Sequence, residues 1–488
     1  MSQTGEVQGI PFDRCRLLQA AALLMRDAIG RLWPQAKLTV GPPLSKPFPG
    51  FYCEMDLDHQ LTAEDVSKIS AAMDQLRSEG CLGSREAPAQ DDRRRLHFKL
   101  FNSSGAYLWR DPAREQIQRL YGTAWPTRME LRRDIARHDG AAERDYRKIG
   151  GLLKLFQCRG ESPGALFWLP QGISVRRTLS QKLRGLILKN GYKEITGDPA
   201  LLYQGTKRNQ MELPLRFFGP FGLQPGDGAS KPIFQAREDY QDSHLFLKQD
   251  QVEEEITAVM GFVRRVHAAF EIELCARLNI SDRAQATGDW LTDIFKRNGM
   301  AYEVNRDPTA TCGPEIDFMT PNAFGVFERP GAAIQLDFEV AERLDLRYVE
   351  ADKAEKRPVV LHHTLHGSCE RLLQAVLERT AGKLPLWLAP VQVKVLTISR
   401  RFTGHGKRIQ EALLSAGIRC ELDDRDEKIA FKARGAALEK VPYVLEVGTK
   451  EKESGRVSVR SREQPDENEL LPLEAFVSRV TREAEMSF

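Results

Sequence analysis

Apolar residues in "FDRCRLLQAAALLMRDAIGRLW" recur at helical spacing, which predicts an amphipathic helix from Phe12. The four prolines of "GPPLSKPFPG" break it, and "FYCEMDLD" then alternates apolar and polar positions as a half-buried strand does. "TAEDVSKISAAMDQLRSEG" opens with Thr62, carries Asp65 three positions later and closes at Gly80, the start and stop signals of a second helix. Residues 81–95, "CLGSREAPAQDDRRR", read as a polar connector, after which "LHFKLFNSSGAYLW" resumes as strands. Residues 1–140 are therefore expected to form a small α+β domain.

From 141 to 385 long helices such as "SVRRTLSQKLRGLILKNG" and "QVEEEITAVMGFVRRVHAAF" alternate with strands. "IDFMT", "GVFER" and "AIQLDF" follow one another without intervening helices, which predicts an antiparallel sheet with helices against it. Residues 386–488 change pattern: "VQVKVLTIS", "KRIQEALLSAG", "IRCELDD", "KIAFKARGAALEK", "YVLEVG" and "RVSVRSR" alternate strand and helix, as in a compact α/β domain with a mostly parallel sheet. The join falls at "GKLPLWLAP", bracketed by Pro385 and Pro390. The chain shows no internal repeat, no low-complexity tract and no glycine-rich phosphate loop.

Composition adds few restrictions. A chain of 488 residues is long enough for several cores, and 41% hydrophobic with 28% charged residues is the make-up of an ordinary folded protein. The net charge of +3 is too balanced to advertise a polyanion partner in bulk, so any such partner must be met locally. Eight scattered cysteines without a CxxC pair suit reduced thiols. The amino terminus has no cationic segment followed by an apolar run, and no stretch of about 18 apolar residues occurs. These features predict a cytoplasmic, non-membrane protein.

The candidate chemistry is concentrated in "PVVLHHTLHGSCER", residues 358–371, with three histidines followed by Gly367, Ser368, Cys369, Glu370 and Arg371. This run and its continuation "LLQAVLERTAGKLPLWLAPVQVKVL" resemble the end of the catalytic domain of threonyl-tRNA synthetases. "GIRCELDDRDEKIAFKARGAALEKVPYVLEVGTKEKESGRVSVRSR" resembles their anticodon-binding domain. Upstream, "LTVGPPLSKPFPGFYCEMDLDHQLTAEDVSKI" and "GAYLWRDPAREQIQRLYGTAWPTRMEL" look like the editing domain; "PGALFWLPQGISVRRTLSQKLRGLILKNGYKEITGDPALL" looks like motif 1 of a class II synthetase. The resemblance runs from about residue 37 and leaves no room for the family's amino-terminal ubiquitin-like domain. It implies a reduced editing-like domain (1–140), a class II catalytic-like domain (141–385) and an anticodon-binding-like domain (386–488). The family's HxxxH editing helix is replaced here by "CRLLQAAALL", and its later cysteine motif by the connector around Asp91 to Leu96. Without groups that exchange protons there, editing is expected to be absent.

For the synthetic site, the resemblance implies that Ser368 caps the motif 3 helix and that Arg371 reaches the ATP phosphates, with Glu370, Gln335 and Asp337 as further site residues and Asp317 nearby. The family's lysine in "GPKI" is Glu315 here. In motif 2 the anchors Leu213 to Arg216 and Asp242 to Phe246 fit, but Gly222, Leu223, Gln224 and Pro225 stand where the family has Arg-x-Glu. Arg237, or Lys231, is the candidate replacement phosphate contact. The family's zinc ligands are one cysteine and two histidines. His244 and His362 match the histidines, while the cysteine's segment has collapsed and no cysteine lies between Cys158 and Cys275. The third ligand is thus missing unless Cys312, Cys369 or Asp242 supplies it.

For the RNA end, the resemblance implies contacts from Arg425, Asp426, Lys428, Lys432 and Arg460, with Asp426 in place of the family's base-reading asparagine. The expected function is a threonyl-tRNA synthetase-like paralogue with altered catalysis. It would bind tRNA and an amino acid such as threonine or its adenylate, and use ATP with magnesium if active in amino-acid activation or transfer. A non-catalytic tRNA-binding or regulatory protein and a genuine threonine-tRNA ligase are the alternatives. The long helix of motif 1 and Pro199 imply a homodimer.

Overall fold

The computed structural model describes residues 6–7, 10–41, 50–59, 61–79, 96–100, 108–111, 114–158, 166–219, 240–280, 285–306, 314–322, 327–328 and 332–485. The chain divides into two compact units, Met1–Ala142 and Glu143–Phe488.

In the first unit an antiparallel sheet has the order Lys37–Val40, Phe51–Asp56, Arg114–Trp125, His97–Leu100, and Leu108–Asp111 also pairs with Arg114–Trp125. The alternation in "FYCEMD" does what it predicts: Phe51, Cys53 and Met55 are buried, while Tyr52, Glu54 and Asp56 are half-exposed. Helices Phe12–Leu32 and Ala63–Glu79 bring Leu18, Met25, Ile29, Ile69 and Met73 into the same core. The stretch "CRLLQAAALL" therefore serves mainly packing, with Gln19 exposed. The second helix starts with the expected reciprocal cap, in which Thr62 N–H donates to Asp65 Oδ2 at 3.0 Å and Asp65 N–H donates to Thr62 Oγ1 at 3.2 Å. The connector 81–95 lies outside the described residues.

The second unit carries two large sheets. In the first the order is Lys193–Glu194, Leu215–Gly219, Tyr240–Leu247, Val359–Ser368, Ala333–Asp337, Glu315–Pro321, Cys275–Ile280, Tyr302–Arg306. Pairing is parallel at the two ends and antiparallel between them. Helices Pro170–Lys189, Val252–Ala268 and Cys369–Thr380 pack Leu179, Leu183, Val259, Val263, Val376 and Leu377 on Leu361 and Phe318.

One buried polar group there gives this core a pH dependence. His267, near the end of Val252–Ala268, is 1% exposed and its Nδ1 lies 2.8 Å from Val263 O. Burial pushes its pKa below 6.5, outweighing that backbone hydrogen bond. The fold therefore holds it neutral, whereas the unfolded chain takes up a proton below about 6.5. Its stabilising effect is complete above that pH and declines as pH falls. Replacing His267 by Gln should flatten the acid side of a plot of unfolding free energy against pH; identical slopes for both proteins would contradict this.

The second sheet runs Cys420–Asp423, Val393–Thr397, Tyr443–Val447, Arg456–Ser461, Glu469–Pro472. Only its first three strands are parallel, and the last two join antiparallel. The expected mostly parallel sheet is thus half realised. The helix Thr449–Ser454 leads into Arg456 and is too short for a crossover of about a dozen residues. This layer is tied to segments packed on the first sheet by polar contacts: Lys154 Nζ to Glu439 at 2.9 Å, Gln171 Nε2 to Glu421 at 3.3 Å, and the Arg419 guanidinium to the carbonyls of Ala389 (2.9 Å) and Trp387 (2.7 Å).

Candidate active site and RNA-facing surface

Strand register assembles residues that are far apart in sequence. His362 stands opposite His244 on one neighbouring strand and opposite Gln335 on the other. Directly opposed residues share a sheet face, and side chains alternate, so His244, Gln335, Asp337 and His362 lie on one side with Asp242. Glu315 is opposite Gln335 and so faces the same way.

Contacts refine this grouping. The His244 and His362 rings meet edge to face with centroids 4.1 Å apart. His362 Nε2 is 3.4 Å from Asp337 Oδ2, an ion-pair spacing and a poor hydrogen bond. Asp337 Oδ1 accepts N–H bonds from Glu339 and Val340, each at 2.9 Å. Burial alone would raise the Asp337 pKa, but His362 and those two N–H groups bring it down to about 2. Burial, reinforced by His362 and His363, pushes the His244 pKa well down. His363 and His366 are interior residues; the His363 Nε2 lies 2.8 Å from Tyr192 Oη.

The zinc centre that the resemblance implies would need three strong ligands with one open position. Among the described residues no group of three or more His, Cys, Asp and Glu side chains is arranged to hold a metal ion. His244 and His362 come together as expected, but this pair with Asp337 does not fit a three-ligand zinc centre. Cys312 lies outside the described residues.

The motif 3 turn has a clear physical basis. Gly367, the penultimate residue of the strand Val359–Ser368, has φ +69°, a left-handed conformation that glycine adopts without strain. Ser368 then caps the helix Cys369–Thr380, its Oγ accepting from Arg371 N–H at 3.2 Å. Arg371 is exposed. Glu370, expected among the site residues, accepts a hydrogen bond from Trp168 Nε1 at 3.1 Å. Ser368→Ala should lower the unfolding free energy by about 1 kcal/mol in urea titration. An unchanged value would mean that the cap contributes nothing. Arg237 and Lys231 lie in 220–239, outside the described residues.

On the second sheet's layer, the expected RNA contacts separate. Lys428 and Asp426 are exposed, and Asp426 Oδ2 is 3.9 Å from Arg400. Arg425 bonds Asp423 at 2.6 Å and sits 6.0 Å from the ring of Phe431, which is 57% exposed. Arg460 pairs with Glu446 at 3.1 Å. Lys432 is only 1% exposed, its ammonium donating to the carbonyls of Thr397 (2.8 Å) and Asp423 (3.2 Å). That corrects its expected place among the RNA contacts: it holds the ends of two strands together. The sequence reading did not single out Trp168, Arg176, Arg400 or Phe431, whose contacts with Glu370, Asp426 and Arg425 join positions that are not adjacent in the chain.

Comparison with known proteins gives these groups a context. Residues 199–380 match the family described as tRNA synthetase class II core domain (G, H, P, S and T), and residues 392–483 match the anticodon binding domain. A threonine–tRNA ligase of Clostridium botulinum is 30% identical over 94% of this chain and 87% of its own length. One from Geobacter sp. is 31% identical over the same shares.

The chain belongs to the threonine–tRNA ligase family.

Solved structures agree on the fold. The RNA binding domain of threonyl-tRNA synthetase from Cryptosporidium parvum superposes with a TM-score of 0.62 at 23% identity, covering 70% of this chain and 99% of that one. The threonyl-tRNA synthetase ThrRS-1 of Aeropyrum pernix gives 0.54 at 17% identity, covering 70% and 96%. Val359–Thr380 lies within the stretch that matches the class II core domain, and the second sheet within the stretch that matches the anticodon binding domain. No helix among the described residues is long and apolar enough to cross a membrane.

Proposed function

We propose that this threonyl-tRNA synthetase-like protein is a catalytically altered paralogue. It binds tRNA through its anticodon-binding layer and an amino acid or adenylate on the sheet face of Gln335, Asp337 and His362. If it activates amino acids, ATP with magnesium is the co-substrate, and Arg371 and Ser368 form the phosphate end of the site. The supporting observation is a mismatch. Motif 3 keeps its capped helix and exposed arginine, while the sequence has neither the family's motif 2 Arg-x-Glu nor its zinc cysteine. Losing an arginine that clamps a reacting phosphate should cost about a hundred- to a thousandfold in rate. We further propose three domains, 1–140, 141–385 and 386–488, a homodimer through motif 1, and a cytoplasmic location.

ATP–pyrophosphate exchange with each amino acid tests the reading. Threonine-dependent exchange should fall at least about a hundredfold below that of a complete family member. Retention of tRNA in a gel should weaken with Lys428→Ala and Arg460→Ala. Full threonine-dependent exchange together with stoichiometric zinc would overturn the proposal.

A further inference from the structure

We infer that Trp168 and Arg176 are positioning residues that hold the first turn of the motif 3 helix, and with it Arg371, through Glu370. The inference rests on the proposed role of Arg371 as the phosphate contact. Three groups from distant parts of the chain meet here. Trp168 ends the short strand Leu166–Trp168, Arg176 lies on the helix Pro170–Lys189, and Glu370 is the second residue of Cys369–Thr380. Glu370 Oε1 accepts the Trp168 Nε1 proton at 3.1 Å, and Arg176 Nη1 stands 4.0 Å from the same oxygen. The Arg176 guanidinium carbon also lies 4.8 Å from the centre of the Trp168 ring, which Phe156 meets edge-on at 5.2 Å. The side chains of Arg176 and Glu370 are 16% and 13% exposed, so the indole N–H and guanidinium replace much of the water a carboxylate would otherwise keep.

The geometry of a helix turns this contact into control of the neighbouring residue. Consecutive side chains leave the axis about 100° apart, so anchoring Glu370 fixes the direction in which Arg371 departs. Ser368 Oγ fixes the Arg371 backbone from the other side of the same turn. Glu370 is thereby occupied as an anchor, and the exposed Arg371 is the member of the pair left to meet an anion. A planar guanidinium recognises phosphate by direction as well as by charge, so a loosened turn weakens it even if the residue is retained.

Hydrogen–deuterium exchange by mass spectrometry on the full chain tests the anchor without a ligand. Trp168→Phe keeps the ring for Arg176 and Phe156 but removes the N–H, and Glu370→Ala removes the acceptor. Both should speed amide exchange of residues 371–373 by about tenfold, the scale of one hydrogen bond to a charged group. Glu370→Gln still offers an oxygen to the indole and should keep most of the protection. Unchanged exchange in Trp168→Phe and Glu370→Ala overturns the inference whether or not the protein binds ATP.

Calorimetry supplies the second arm. In Trp168→Phe the affinity for ATP should fall about tenfold while that for adenosine stays constant. An equal loss for both ligands would reduce Trp168 to ordinary packing and also overturn the inference. Failure of the wild-type protein to bind either ligand would refute the proposed nucleotide site, while the amide-exchange arm still decides whether Trp168 holds the turn.

Discussion

Arg216→Ala is expected to lower the unfolding free energy by about 3–5 kcal/mol, the range for breaking a buried ion pair on one side. Arg216 lies on the strand Leu215–Gly219 and grips Glu255 of the helix Val252–Ala268 with two guanidinium nitrogens, Nε to Oε2 at 2.9 Å and Nη2 to Oε1. The side chain of Glu255 is 7% exposed, so removal of its partner leaves a carboxylate with little access to water. The magnitude comes from desolvation and not from the attraction itself. Replacing both residues by leucine should accordingly recover most of the loss. Urea titration of wild type, Arg216→Ala and the double leucine variant decides the point. A double variant as unstable as the single one would show that the pair contributes specific attraction beyond satisfying Glu255.

The second large effect separates two lysines one helical turn apart. Lys432→Met should cost about 2–3 kcal/mol, because two buried carbonyls lose a charged donor that methionine cannot replace. Binding of tRNA by the folded variant should nevertheless keep the wild-type dependence on salt. Lys428→Ala should do the reverse: stability stays within about 0.5 kcal/mol, as for an exposed side chain. The slope of log affinity against log salt then falls by roughly 0.7–0.9, the loss of one phosphate contact. A reduced salt slope for Lys432→Met would place that ammonium on RNA and contradict its burial.

These two residues also show where the sequence was readable. His244, His362, Gln335 and Asp337 were named in advance through the family resemblance alone; that they share one sheet face comes from the strand register, which joins positions far apart in sequence. The reciprocal cap at Thr62 and Asp65 and the helix cap at Ser368 were visible as short patterns. Lys432 was misplaced because a lysine reads as solvated until the carbonyls it meets are known, and Thr397 lies 35 positions away. Glu370 makes a contact that was out of reach for a similar reason. Its residue type follows from the motif, but its partner Trp168 is 202 positions distant and leaves no trace in local periodicity.

The joint between the two sheets of the larger unit bears on how such a chain can evolve or be engineered. Arg419 closes over the carbonyls of Ala389 and Trp387, Gln171 reaches Glu421, and Lys154 reaches Glu439. An anticodon-binding layer held in this way is not a detachable cassette. Excising it at Pro390 would strip carbonyls and side chains of partners on the remaining piece, and grafting a foreign layer would have to reproduce the same donors and acceptors. The exposed Arg371 is under no such restraint, because it takes no part in that joint. Substitution around Arg371 and removal of the second layer are thus events of very different structural cost.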